Sequence, residues 1–282
     1  MKRIRWKSLL FITILLAEAV CCRKKMQSTA IVPPDMVDTV PVKPGVAAYA
    51  QIAVHTSINS NIGGFYQALP PLYDSSISRY PLMVFLHGGG ELGDGNEQLP
   101  LVLKNAVPEL LNQKVFPLSF TVSGNRYSFI IISPQFKEWP KQEDVDAVVN
   151  YAIDHYRVDT HRVYLVGLSM GGGVAWEYAS RHGKRLAAMV PVSGASWADS
   201  ATAKGIAATN VPTWAFHNRD DSIVTYKSTT RYISLIQFYN PSFPVKFTLW
   251  PTGGHDAWTK ASDPAYKEDG KNIYEWMLQY VR

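Results

Sequence analysis

Apolar runs with few polar interruptions recur along the chain at residues 80–86, 127–132, 162–168, 186–192, 211–216 and 245–250. Most are continuous rather than alternating, the pattern of strands covered on both faces. Amphipathic stretches at 143–156, 226–239 and 264–281 separate or follow them and predict helices. Strands alternating with helices predict an α/β fold, a mostly parallel sheet with helices on both faces. Residues 47–72 predict one or two antiparallel strands at its edge. No period of repeat length is present, which excludes a solenoid.

In such a sheet the functional groups gather at the carboxyl ends of the strands. The residues expected there are His87-Gly88-Gly89-Gly90, Ser133-Pro134-Gln135, Ser169, the stretch 193–197, the stretch 217–221 and Gly253-Gly254-His255. Ser169 stands out. The run ending at Leu168 stops in Gly167-Leu168-Ser169-Met170-Gly171, and a helix-competent segment follows at once. This is the G-x-S-x-G pattern in a strand–turn–helix setting, where small residues two before and two after the serine let their backbones nearly touch. The expected result is a hydroxyl held above the sheet edge at a helix N-terminus.

A serine hydroxyl is a poor nucleophile at neutral pH. It needs a base, and the base needs an orienting acid. His255 is the last histidine at a strand end, and Asp220 and Asp221 end the strand before it, in the chain order Ser, Asp, His. The glycines after His87 let backbone N–H groups approach a developing negative oxygen. Gly89, with Gly90 as the alternative, and Met170 are the expected donors. His87 is expected to brace that turn and is also a candidate substrate contact. Trp139, Trp197 and Trp258 fall near strand ends, where they either line an aromatic or sugar-binding pocket or pack. His217 is expected to pack, as are Asp159 and Arg162 before the serine strand. His55, His155, His161 and His182 are expected to be exposed or structural. The long stretch 91–127 is either a partial lid or a plain crossover.

Charge changes the picture at one end only. The net charge is +5, but seven of the 28 basic residues lie in the first 25 positions, against one of the 23 acidic ones. The rest is one charge short of neutral, so the chain offers no basic face for nucleic acid. The basic start followed by a short apolar stretch predicts an export signal over residues 1–22. Cys21 and Cys22, the only cysteines, close it in a manner that resembles a bacterial lipoprotein signal. A periplasmic or outer-membrane lipoprotein is the expectation, with plain secretion or an uncleaved anchor as alternatives, and any membrane contact is through that end. Residues 23–46 hold Pro33, Pro34, Pro41 and Pro44 and are expected to be an extended spacer. A catalytic domain is expected over 47–282, without disulfide or thiol chemistry. No H-E-x-x-H or similar spacing occurs, so no metal site is expected.

Together His87-Gly-Gly-Gly-Glu-Leu-Gly-Asp94, Ser133-Pro-Gln135, Asp159 with Arg162, Gly167-Leu-Ser-Met-Gly-Gly172 and Gly254-His-Asp-Ala-Trp258 resemble the α/β-hydrolase superfamily. The resemblance covers about residues 60–282. Within the superfamily it is to dienelactone hydrolases, phospholipase/carboxylesterases and "predicted peptidases", near the feruloyl and polyester esterases. It implies a serine esterase or related acyl hydrolase without metal or organic cofactor. His217, Asp221 and Val224 match its recurrent H-G-x-x-D-x-x-V signature, with Asn218 in place of glycine. That selects Asp221 as the acid, with Asp220 as the alternative. Related H-G-x-G-E-R-G motifs carry arginine where Leu92 stands here. The expected substrate is a small ester or an acylated carbohydrate. The competing readings are a serine peptidase and a non-catalytic carbohydrate-binding protein.

Overall fold

The computed structural model describes residues 49–282. The expected export signal, Cys21, Cys22 and the whole Pro-rich spacer lie outside them. Eight strands form one sheet in the order β1 (Gln51–Val54), β2 (Ile62–Ala68), β6 (Ile130–Phe136), β3 (Tyr80–Leu86), β7 (Val158–Leu168), β8 (Ala188–Val192), β9 (Trp214–Asn218) and β10 (Lys246–Trp250). β1 pairs antiparallel with β2, and β2 antiparallel with β6; all other pairs are parallel. The two edge strands expected in 47–72 are therefore present, on an otherwise parallel sheet.

The central strands are apolar on both faces because both faces are covered. Val84, Leu86, Ile132 and Leu165 point into one layer, against α2 (Gln142–His155), α3 (Met170–His182) and α5 (Lys227–Phe238). Met83, Phe85, Ile131, Tyr164 and Val166 point into the other, with Phe116, Phe129, Trp214 and Tyr274. The second layer also takes Ala106, Val107 and Leu111 of α1 (Ala106–Asn112). The stretch 91–127 is thus a packed crossover lying over that face, not a separate lid. A further helix, α4 (Ser200–Thr209), follows β8. Among the described residues no helix is long and apolar enough to cross a membrane.

Two boundaries differ from the sequence pattern for local reasons. The run at 127–132 is split. Residues Asn125–Tyr127 (β5) pair with Phe120–Val122 (β4) in a separate hairpin, and the sheet strand starts only at Ile130. The hairpin turn is Ser123-Gly124, both at positive φ (51° and 81°), the backbone that a two-residue turn between right-twisted strands requires. The long helix expected over 264–281 is reduced to one short helix, Ile273–Met277. Asp269 and Gly270 also have positive φ, and the Asn272 side chain accepts the N–H of Glu275, so the helix cannot begin earlier.

Asp159 and Arg162 form a buried ion pair at the start of β7. Arg162 Nη1 donates to Asp159 Oδ2 at 2.5 Å, while Asp159 Oδ1 accepts the N–H of His161. Arg162 lies over the Tyr127 ring. The pair ties the entry of the central strand to the hairpin, a structural role.

Candidate active site

The serine turn is built from close backbone approaches. A Cβ on Gly167 would lie 2.4 Å from the Gly171 carbonyl oxygen, and one on Gly171 would lie 2.3 Å from that of Leu86. Only glycine fits either place. Ser169 itself sits at φ 50°, ψ −115°, a conformation that costs a non-glycine residue about 1–3 kcal/mol. Hydrogen bonds hold it there. The Ser169 N–H donates to Val192 O at 2.9 Å, and the Ser169 carbonyl accepts from Gly173 and Ala195. The Gly171 N–H donates to His87 O at 3.1 Å, locking the turn to the end of β3. The outcome is a half-buried hydroxyl between β7 and α3.

The turn after β10 brings His255 to it. His255 Nε2 lies 2.9 Å from Ser169 Oγ, and Nδ1 lies 2.7 Å from Asp221 Oδ2. The Asp221 side chain has no exposure to solvent. Its other oxygen, Oδ1, accepts the N–H groups of Ile223 and Val224, both at 2.9 Å. With Oδ1 held by these two backbone donors, Oδ2 is left pointing at the ring. An imidazole with its proton on Nδ1 therefore presents a free lone pair at Nε2 to the serine hydroxyl.

Neighbouring residues fix this arrangement. Asp220, the alternative acid, faces elsewhere: its two oxygens accept the N–H groups of Gly254 (2.9 Å) and Gly253 (3.3 Å), so it shapes the loop that carries His255. Asn218 does the same from the end of β9, donating to Gly254 O at 3.1 Å. His217 is buried and packs as expected, its rings bonded to Thr229 Oγ1 and Val224 O, with Nε2 3.2 Å from Asp221 Oδ2. Burial lowers its pKa, so it stays neutral beside the carboxylate.

The His87-Gly-Gly-Gly turn lies over the serine. A Cβ on Gly88 would come within 3.4 Å of Ser169 Cβ and 2.8 Å of Leu168. Gly89 and Gly90 are exposed and face open space, with nothing within 4 Å of an added Cβ. Met170 opens α3, so its N–H has no carbonyl one turn earlier to accept it. Among the described residues no cluster of three or more His, Cys, Asp or Glu side chains suits a metal ion.

His87 is not available to a substrate, contrary to the expectation that included it. The residue is 1 % exposed. Its Nε2 accepts the Phe136 N–H at 3.0 Å, and Nδ1 donates to Gly88 O at 2.7 Å. It braces the turn against β6. Burial pulls its pKa from 6.5 to about 4. Between those values the unfolded chain binds a proton that the folded protein refuses, so stability is lost as pH falls from 6.5 through 4. At about 1.4 kcal/mol per pKa unit the full loss is about 3 kcal/mol. Urea unfolding at pH 7 and pH 4.5 will show a smaller acid-induced loss in His87→Asn than in the wild type; equal losses would contradict this.

The three tryptophans separate. Trp258 stands edge-on to His255, with ring centroids 5.0 Å apart and planes at 90°, and its Nε1 donates to Asn105 Oδ1. Trp197 is 60 % exposed, two residues beyond the Ala195 that bonds Ser169, with Arg231 over its ring. Trp139 is also exposed but makes no hydrogen bond or ring contact with the other candidate residues. Three polar residues not singled out individually from sequence also bear on the site. Glu91 accepts the Gly88 N–H, Asn105 links it to Trp258, and Gln135 donates to the carbonyls of Glu91 and Gln98. Glu91 and Gln135 lay within quoted motifs; Asn105 carried no sequence signal.

A serine–imidazole–carboxylate line at the carboxyl edge of a parallel sheet, behind a glycine elbow, defines the hydrolase class of α/β proteins. Residues 81–256, more than half of the chain, match the α/β hydrolase fold family, and the chain belongs to it. A bifunctional acetylxylan esterase/xylanase of Neocallimastix patriciarum is 26% identical over 134 residues, covering 47% of this chain but only 17% of that protein. A thermostable esterase structure superposes with a TM-score of 0.59 at 20% identity, over 83% of this chain and 64% of the other. A ferulic acid esterase structure superposes at 0.56 with 19% identity, over 74% and 92%. The chain thus spans a small part of the curated relative and about two thirds of the thermostable esterase.

Proposed function

We propose that the protein hydrolyses carboxylic esters through an acyl-enzyme on Ser169. The observation that carries this is the unbroken line from Ser169 Oγ through His255 to the buried Asp221, at 2.9 and 2.7 Å. Ser169 Oγ attacks the acyl carbon while His255 Nε2 takes its proton. Asp221 holds the Nδ1 proton in place and stabilises the imidazolium. The negative charge of the tetrahedral intermediate meets the N–H groups of Met170 and Gly89. Loss of one such donor costs about 3–4 kcal/mol in well-measured cases. His255 then protonates the leaving alkoxide. Water, deprotonated by the same ring, releases the acid and restores Ser169.

Esters are favoured over amides because an alkoxide leaves more readily than an amine. Acylated carbohydrate is the proposed natural class. Support comes from the acetylxylan esterase/xylanase and the ferulic acid esterase among the similar proteins and from Trp197, an exposed aromatic face close to the elbow. An exported protein tethered through Cys21 or Cys22 fits a polymeric substrate. Purified protein should turn over aryl acetates, methyl ferulate and acetylated xylo-oligosaccharides, and leave matched amides intact. Amide turnover at a comparable rate would replace this reading with a peptidase. Glycan binding without any turnover would replace it with a binding protein.

A further inference from the structure

We infer that Glu91, Asn105 and Trp258 form a hydrogen-bonded strap that sets the oxyanion turn and the imidazole in register. The inference rests on the serine-hydrolase reading above and assigns positioning residues to it.

Glu91 is only 6 % exposed, yet both carboxylate oxygens are occupied. Oε2 accepts the Gly88 N–H at 2.8 Å, and Oε1 accepts the Asn105 Nδ2 amide at 2.8 Å. The Asn105 Oδ1 then accepts the Trp258 Nε1–H at 3.2 Å. Trp258 ends the path edge-on against His255. Gln135 Nε2 donates to the Glu91 main-chain carbonyl at 2.9 Å and fixes the near end to β6. The path therefore joins the 88–91 turn to the 255–258 loop through the residue that precedes α1. Those segments lie far apart in sequence and carry the two halves of the proposed chemistry.

The strap acts through geometry and not through charge. A carboxylate beside a developing oxyanion opposes it electrostatically, so Glu91 can assist only by what it holds. Drawing the Gly88 N–H toward Glu91 fixes the His87–Gly88 peptide, while the Gly88 carbonyl accepts from His87 Nδ1 and the Glu91 N–H, and together these set the direction of the Gly89 and Gly90 donors that follow. At the far end, the indole bond fixes the ring that packs on His255. Burial raises the Glu91 pKa, and the Gly88 and Asn105 donors oppose that rise.

Position 91 must accept on both sides, because Gly88 N–H and the Asn105 amide are both donors. Glu91→Gln turns one acceptor into a donor and breaks one end of the strap. Asn105→Asp places two carboxylates face to face. Combining the two restores complementarity with the polarity of the central bond reversed, while the Trp258 N–H still meets an acceptor at 105.

The test uses the full chain, with kcat and KM on an aryl acetate normalised to the Ser169 sites titrated by a fluorophosphonate, so that only folded enzyme counts. The affinity of a trifluoromethyl ketone, which adds to the serine as a tetrahedral oxyanion, is measured alongside. Each single variant is expected to lose about 10- to 100-fold in kcat, the value of one hydrogen bond to a charged group, with KM changed by less than about 3-fold. The ketone should weaken by the same factor as kcat. The double variant should recover most of the loss, and Trp258→Phe, which keeps an aromatic ring but removes the indole donor and part of the ring surface, should lower kcat by about 3- to 10-fold. Additive losses in the double variant, unchanged kcat in the singles, or changes confined to KM or melting temperature would overturn the strap. If wild-type protein fails to label at Ser169, the serine-hydrolase reading fails instead. Labelling and turnover with additive losses remove the strap alone.

Discussion

Ser169→Ala will abolish ester turnover while leaving the fold unchanged. In a site whose serine, base and acid act as a unit, loss of the serine alone costs about a million-fold in kcat, because no other group forms the acyl-enzyme. Stability should hold, since alanine keeps the Cβ and the backbone bonds from Ser169 to Val192, Gly173 and Ala195 involve no side-chain atom. Ser169→Gly is the instructive partner. It loses the same activity but also the Cβ at φ 50°, ψ −115°, so it should be more stable than the alanine variant by about 1 kcal/mol. Initial rates on an aryl acetate and urea unfolding of both variants check this. Substantial turnover by the alanine variant would show that the hydroxyl is not the nucleophile.

The second large effect separates two adjacent aspartates. Asp221→Asn should lower kcat by about ten-thousand-fold. The asparagine oxygen can keep the Ile223 and Val224 N–H bonds, which leaves its NH₂ facing His255 Nδ1. The ring must then accept at Nδ1 and carry its proton at Nε2, toward Ser169, where a base is needed. Asp220→Asn should cost less than about 10-fold, since only the weaker of two backbone contacts to the His255 loop is lost. Equal losses in the two variants would contradict the division of labour drawn from the Gly253, Gly254 and His255 contacts.

The sheet and the serine turn were legible because they depend on patterns local in sequence. Strands covered on both faces need uninterrupted apolar residues. An elbow in which Gly167 and Gly171 nearly touch Gly171 and Leu86 backbone atoms tolerates nothing else. Asp221 was legible through its spacing from His217 and Val224, even though Asn218 replaces the usual glycine; here the amide anchors the Gly254 carbonyl. What escaped depended on partners distant in sequence. The role of Glu91 is set by Asn105 and Trp258, and that of His87 by the Phe136 N–H, which turns a strand-end histidine into a buried brace. The shift of the 127–132 strand arose because the Ser123-Gly124 turn drew Tyr127 into a hairpin.

Reaction of the wild-type protein with a fluorophosphonate, followed by digestion and mass mapping of the adduct, tests the central claim most directly. One adduct, on Ser169, forming quickly in the wild type and far more slowly in Asp221→Asn, is the predicted result. Ester turnover that persists with Ser169 unmodified, or an adduct on another residue that stops turnover, would contradict it.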